Sequence, residues 1–168
     1  VADDLEISLE ANPSSYETTR FRGFFAAGVG RLSLGVQSFD EARLRFLGRR
    51  HTSGQAVRAL EEAGGIFPRL SFDLIYALPG ETGDAWRREL DQTLAYAKGH
   101  VSLYQLTIEP GTAFARARVL GADEGSSIAL FEMSQRALAA AGMPAYEVSN
   151  HARPGEECRH NLLYWSGG

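Results

Sequence analysis

Polar residues stand where four apolar runs give out. Glu10 ends Ile7-Ser8-Leu9-Glu10, Gln37 ends Leu34-Gly35-Val36-Gln37, Asp73 lies within Phe72-Asp73-Leu74-Ile75-Tyr76, and Glu109 ends Leu106-Thr107-Ile108-Glu109. In parallel α/β folds the carboxyl ends of strands gather into one pocket, so three carboxylates and an amide there could hold a polar ligand or move a proton. Asp73 is the most informative, because alternation puts it opposite Phe72, Leu74 and Tyr76, where an unpaired charge is costly. Taken singly, the other three also fit solvated strand ends or helix caps. A second group lies late in the chain, in His160-Asn161-Leu162-Leu163-Tyr164-Trp165, with His151 and Cys158 shortly before it. A histidine beside two aromatics suits either a packed, hydrogen-bonded cluster or a metal ligand against an apolar wall.

The elements that must position these residues alternate. Strand-like runs occupy Glu6–Leu9, Arg31–Val36, Leu70–Tyr76 and Val101–Ile108, with a shorter one at Ala145–Ser149. Helical spacing fills about 14–27, 40–47, 53–63, 84–97 and 126–141. Ser53 and Ser126 suit helix starts, and Gly28, Gly64 and Gly142 suit helix ends. The pattern predicts an α/β fold of βα units around a parallel sheet, either an open doubly wound sheet or a piece of a barrel. Its four or five units are too few for an eight-stranded barrel of roughly 250 residues.

Composition narrows the class. The chain has 168 residues, 44% hydrophobic and 23% charged, as expected for one folded domain. A formal charge of −4 argues against a nucleic-acid partner, and no apolar run approaches the roughly 20 residues of a membrane span. The single cysteine, Cys158, excludes an internal disulfide and fits a reducing cytoplasm. Strand-like alternation begins by Asp4-Leu5-Glu6, with no methionine before it, and the chain ends on the turn signal Trp165-Ser166-Gly167-Gly168. Both ends read as cut from a longer protein.

Several strings together resemble a known family. Glu10-Ala11-Asn12-Pro13, Arg31-Leu32-Ser33-Leu34-Gly35-Val36-Gln37-Ser38-Phe39, Leu47-Gly48-Arg49-Arg50-His51 and Asp73-Leu74-Ile75-Tyr76-Ala77-Leu78-Pro79-Gly80 resemble radical S-adenosylmethionine proteins of the oxygen-independent coproporphyrinogen III oxidase-like group. Tyr146-Glu147-Val148-Ser149-Asn150 and the string from His160 to Trp165 resemble its haem-chaperone (HemW) branch. The resemblance implies a partial (β/α)6 barrel, with residues 1–142 supplying strands three to six and 143–168 starting a smaller C-terminal region. It implies S-adenosylmethionine contacts for Glu10, Gln37, Arg49 and Asp73, with Asp73 accepting from ribose hydroxyls and Arg49 suited to the carboxylate. It also implies haem binding with transfer to acceptor proteins, His160 as a candidate iron ligand, and Tyr164 and Trp165 as wall. His151 is a second candidate ligand, and Cys158 a possible thiolate.

The departures are as informative. The family holds a [4Fe–4S] cluster with C-x3-C-x2-C, which is missing from these residues, so alone they should bind no cluster and cleave no S-adenosylmethionine. Ala77 and Glu81 stand where the group usually has glycine and glutamine, and His151 where phenylalanine is common. Glu81 is expected to add charge near the pocket. A barrel lacking its first two strands would expose an edge, so low solubility is expected of the chain by itself. Two other functions remain open: oxidative decarboxylation of coproporphyrinogen III, and an iron-free acid–base reaction on Glu10 and Asp73.

Overall fold

The computed structural model describes residues 5–167; residues 1–4 and Gly168, where part of the cut-end expectation falls, lie outside it. Four parallel strands follow one another across a single sheet: β1 (Ser8–Ala11), β2 (Arg31–Gln37), β3 (Arg69–Tyr76) and β4 (His100–Gln105). A fifth, β5 (Asn150–Ala152), pairs antiparallel with β4. The helices are α1 (Thr18–Ala26), α2 (Glu41–Phe46), α3 (Ser53–Gly64), α4 (Gly83–Tyr96), α5 (Ala113–Arg116), α6 (Glu124–Ala140) and α7 (Arg159–Ser166).

Strand order decides between the two architectures the pattern left open. A doubly wound sheet reverses direction partway and carries helices on both faces. Here neighbours in the sequence are neighbours in the sheet, and the core lies on one side of it. Leu32, Leu34, Val36, Phe72, Leu74 and Val101 are buried there with Ala56 and Leu60 of α3, Trp86 and Leu90 of α4, and Leu138 of α6. This is one segment of a barrel wall, with its helices outside.

Helix starts follow local hydrogen-bond chemistry more closely than expected. Thr52, not Ser53, caps α3: its hydroxyl accepts from Gln55 N at 3.2 Å while Gln55 Oε1 accepts from Thr52 N at 2.9 Å. Asp123, not Ser126, caps α6, accepting from Ser126 N at 2.9 Å. Gly28 and Gly142 adopt the expected left-handed conformation, whereas Gly64 stays within its helix.

Three strands differ from expectation. β1 is shifted to Ser8–Ala11 by its register with β2, beginning at Ser8 opposite Arg31. β4 stops at Gln105, where its pairing with Tyr76 of β3 ends. β5 lies beyond the expected 145–149, because Ser102, Val101 and His100 pair with Asn150, His151 and Ala152. Ala77, just past β3, takes φ +61°, the left-handed region that glycine enters at least cost. That geometry accounts for glycine as the family's usual choice.

One buried polar contact ties the two longest helices together. Trp86 Nε1 donates to Ser134 Oγ at 2.8 Å, and both side chains are buried. Ser134→Ala leaves the indole N–H without an acceptor, so urea denaturation should show a loss of roughly 1–3 kcal/mol. Ser126→Ala, at a position that does not provide the α6 cap, should cost clearly less.

Candidate functional site

The other face of the sheet carries polar side chains at alternate positions up to Ser33 of β2 and Asp73 of β3, beyond which Gly35 and Ile75 follow. Its rows follow the register: Ser8 beside Arg31 and Arg69, then Glu10 beside Ser33 and Ser71, then Asp73 beside Ser102 and Asn150. Purely parallel sheets usually bury apolar side chains on both faces, so such a face marks a ligand-accepting lumen. A cavity of about 120 Å3 opens on it, with Glu10, Ser33, Ser71, Asp73, His100 and His160 in its lining. Glu10, Asp73 and His160, from three separate parts of the sequence, therefore meet in one place.

Asp73 is the most perturbed acid there. Burial pushes its carboxyl up to about 6 from 3.8; the Glu10 charge adds to this, and the Ser102 and Ser33 hydroxyls and Arg49 oppose it. Ser33 Oγ donates to Asp73 Oδ1 at 3.4 Å. Ser102 Oγ, which interacts with Asp73, also lies 2.7 Å from Asn150 Oδ1, and the two carboxylate oxygens of Asp73 keep acceptor sites for another donor. Arg49 contributes a nearby positive charge, and its buried Nε has no hydrogen-bond partner among the described residues.

Gln37 stands above this group at the carboxyl end of β2. A register irregularity between Leu34 and Gln37, with φ +70° at Gln37, re-aims its side chain. A Cβ on Gly35 would lie 2.9 Å from Gln37 Nε2 and 3.2 Å from Asn12 Oδ1. Glycine at 35 thus leaves a small cradle between two amides.

Other expected residues fall elsewhere. Glu109 is exposed, in the loop four residues after β4, because the strand ends early. His151 is 1% exposed within β5, so it packs into the fold and is not available as an open ligand. Tyr164 and Trp165 do not line the cavity with His160. They sit further along α7 at 79% and 59% exposure, beside exposed Leu162 and Leu163. Glu81 does not add an unbalanced charge to the pocket: it is ion-paired with Arg43 and accepts from Leu78 N at 3.1 Å.

Sequence reading missed the lower part of the lumen. Ser71 Oγ lies 2.6 Å from His100 Nδ1, and His100 Nε2 lies 2.7 Å from Tyr146 OH. Burial holds His100 down to about 3, reinforced by Arg31, Arg69 and His151. The signal was available in the alternation Arg31-x-Ser33, Arg69-x-Ser71-x-Asp73 and His100-x-Ser102, which repeats one polar face through three strands.

Comparison with known proteins agrees with this geometry. The profile of the Radical SAM superfamily matches residues 1–92. The chain belongs to the radical SAM superfamily. Heme chaperone HemW of Escherichia coli is 41% identical over 100% of this chain and 45% of its own length. The radical S-adenosyl methionine domain-containing protein 1, mitochondrial, of Mus musculus is 42% identical over 98% of the chain and 38% of its own length. The chain therefore spans about two-fifths of the length of these relatives. The solved structure of coproporphyrinogen III oxidase (HemN) from Escherichia coli shares the fold with TM-score 0.81, at 23% identity over 98% of this chain and 38% of that one.

For a radical SAM chain the remaining question is which family groups its residues fit. The unpartnered Arg49 Nε and the spare acceptor capacity of Asp73 fit a molecule carrying a carboxylate and hydroxyls, with the Gln37 and Asn12 amides packed over Gly35. An iron–sulfur cluster does not fit these residues, since one cysteine cannot supply three thiolates. No cluster of three or more His, Cys, Asp or Glu side chains suited to a metal occurs among the described residues.

The raised Asp73 has a definite sign in stability. Its proton is held more tightly in the fold than in the unfolded chain, so this carboxyl weakens folding as pH rises from about 4 through about 6. Buried His100 acts oppositely, weakening folding as pH falls below its ordinary 6.5. Asp73→Asn should therefore match the parent near pH 4 and exceed it at pH 7 by up to about 3 kcal/mol in urea denaturation. Equal stabilities at both pH values would contradict the burial of that charge.

Proposed function

We propose that this chain is the later part of a radical SAM barrel in a haem chaperone that binds haem and passes it to acceptor proteins. The carrying observation is identity of 41% over 100% of the chain to a protein named heme chaperone HemW, against 23% to coproporphyrinogen III oxidase. On this reading residues 1–142 supply strands three to six and residues 143–168 begin the C-terminal region, in a cytoplasmic protein. No helix among the described residues is long and apolar enough to cross a membrane.

Glu10, Gln37, Arg49 and Asp73 hold S-adenosylmethionine in this proposal. Asp73 accepts from ribose hydroxyls, Arg49 faces the carboxylate, and Glu10 takes the ammonium. The conformation of Gln37 over Gly35 supports an amide contact at the carboxyl ends of the strands. S-adenosylmethionine bound with a [4Fe–4S] cluster supplies radical chemistry, and the cluster thiolates must come from outside these residues. His160 is the haem-iron ligand, and the exposed Leu163, Tyr164 and Trp165 of α7 offer an apolar surface beside it. Decarboxylation of coproporphyrinogen III is the second reading, favoured by the shared fold.

Two experiments on a protein of the relatives' full length carrying these residues test this. Arg49→Met and Asp73→Asn should each weaken S-adenosylmethionine binding about tenfold or more by calorimetry, the effect of losing a hydrogen bond to a charged group. His160→Ala should weaken haem binding in an absorbance titration; an unchanged titration removes His160 from the site. Formation of protoporphyrinogen from coproporphyrinogen III by the cluster-loaded protein would favour the oxidase reading over the chaperone.

A further inference from the structure

The base of the lumen carries a cation that the fold leaves incompletely paired. Arg31 is 2% exposed and lines the cavity. Its Nη2 donates to Glu156 O at 2.7 Å and its Nε lies 3.5 Å from Glu6 Oε2, while its Nη1 reaches no acceptor among the described residues. Arg69 is ion-paired with the same Glu6 carboxylate. Glu156, the other carboxylate near Arg69 at 3.6 Å, is 40% exposed. Two guanidinium groups therefore share one well-buried carboxylate, with the half-exposed Glu156 beside Arg69 only, and Arg31 Nη1 is left without an acceptor among the described residues. An unsatisfied buried guanidinium N–H is costly, and a ligand acceptor would remove that cost.

A hydrogen-bond chain aims a second donor at the same place. The Tyr146 hydroxyl accepts from Cys158 N at 3.3 Å and from Asn161 Nδ2 at 3.1 Å. With both lone pairs engaged, its own proton goes to His100 Nε2 at 2.7 Å. His100 then carries its proton on Nδ1 and donates to Ser71 Oγ at 2.6 Å. The Ser71 hydroxyl hydrogen is left free for the cavity that Ser71 lines.

We propose that the base of this cavity is a carboxylate-binding subsite, with Arg31 Nη1 and the Ser71 hydroxyl as its donors and Tyr146 as the positioning residue behind them. The unpaired Arg31 donor selects an anionic acceptor, and Glu10 and Asp73 higher in the same cavity favour one of low charge over a dianion such as phosphate. The volume of about 120 Å3 admits a carboxyl group with a short stem. This assignment stands on Arg31, Ser71, His100 and Tyr146 and does not depend on the haem reading.

The test is a titration of a protein of the relatives' full length carrying these residues with acetate, against chloride at equal ionic strength, read by NMR at Ser71 and the His100 ring nitrogens. Acetate should shift both saturably and chloride should not. Ser71→Ala should weaken acetate about tenfold or more. Tyr146→Phe, which removes no cavity-lining group, should move the His100 proton to Nε2 and weaken acetate as well, because Ser71 then turns its hydrogen toward Nδ1. Arg31→Lys should also weaken binding while keeping the charge. Butyrate distinguishes sources: tighter binding than acetate indicates the acid end of a longer molecule, and equal binding a free small acid. No acetate-specific shift in the parent chain overturns the proposal, as does acetate affinity unchanged in both Ser71→Ala and Tyr146→Phe.

Discussion

A parallel sheet with one apolar and one polar face imposes a constraint that the rest of this molecule answers. The apolar face must be covered, and α3, α4 and α6 cover it with Leu60, Trp86, Leu90 and Leu138 against Leu32, Leu34, Phe72 and Leu74. The polar face cannot be covered by an apolar layer without stranding Arg31, Glu10, Asp73 and His100. It is met by side-chain hydrogen bonds among the strands and by the segment from Tyr146 to Asn161, which returns across it. A single alternation thus creates both the core and the site.

Charge is distributed unevenly along that polar face. Arg31 and Arg69 sit at the amino ends of their strands, where Glu6 is within salt-bridge distance of both. Glu10 and Asp73 stand nearer the carboxyl ends, and their mutual repulsion adds to burial in holding the Asp73 proton. Neutral His100 and four serines stand beside these charges in the same rows of the sheet. A ligand spanning the lumen would meet anions at one end and cations at the other, which suits a molecule with separated charges.

The C-terminal segment is coupled to the barrel through this same face. Asn150 accepts from Ser102 of β4 and donates to Glu147, while Tyr146 bridges His100, Cys158 and Asn161. The helix α7 that carries His160 is therefore oriented by hydrogen bonds that begin inside the sheet. Its exposed face of Leu163, Tyr164 and Trp165 projects from a fixed base.

By itself the sequence determined the class of fold and the placing of Asp73 on a polar face. Period-two alternation with intervening helical stretches requires βα units, and a charge between Phe72 and Leu74 requires a polar face, because these are local properties of neighbouring residues. Strand ends and caps were less legible: Thr52 took the role expected of Ser53, and β4 stopped before Glu109, because pairing partners decide where an element ends. Local spacing left a barrel wall and a doubly wound sheet both open; the family resemblance implied the barrel, and the strand order bears it out. The tertiary structure alone joined Ser71 to His100 to Tyr146, and it removed Glu109, His151, Tyr164 and Trp165 from the cavity lining. Such contacts depend on distances between residues far apart in the chain, and those distances exist only once β1 to β5 lie in register.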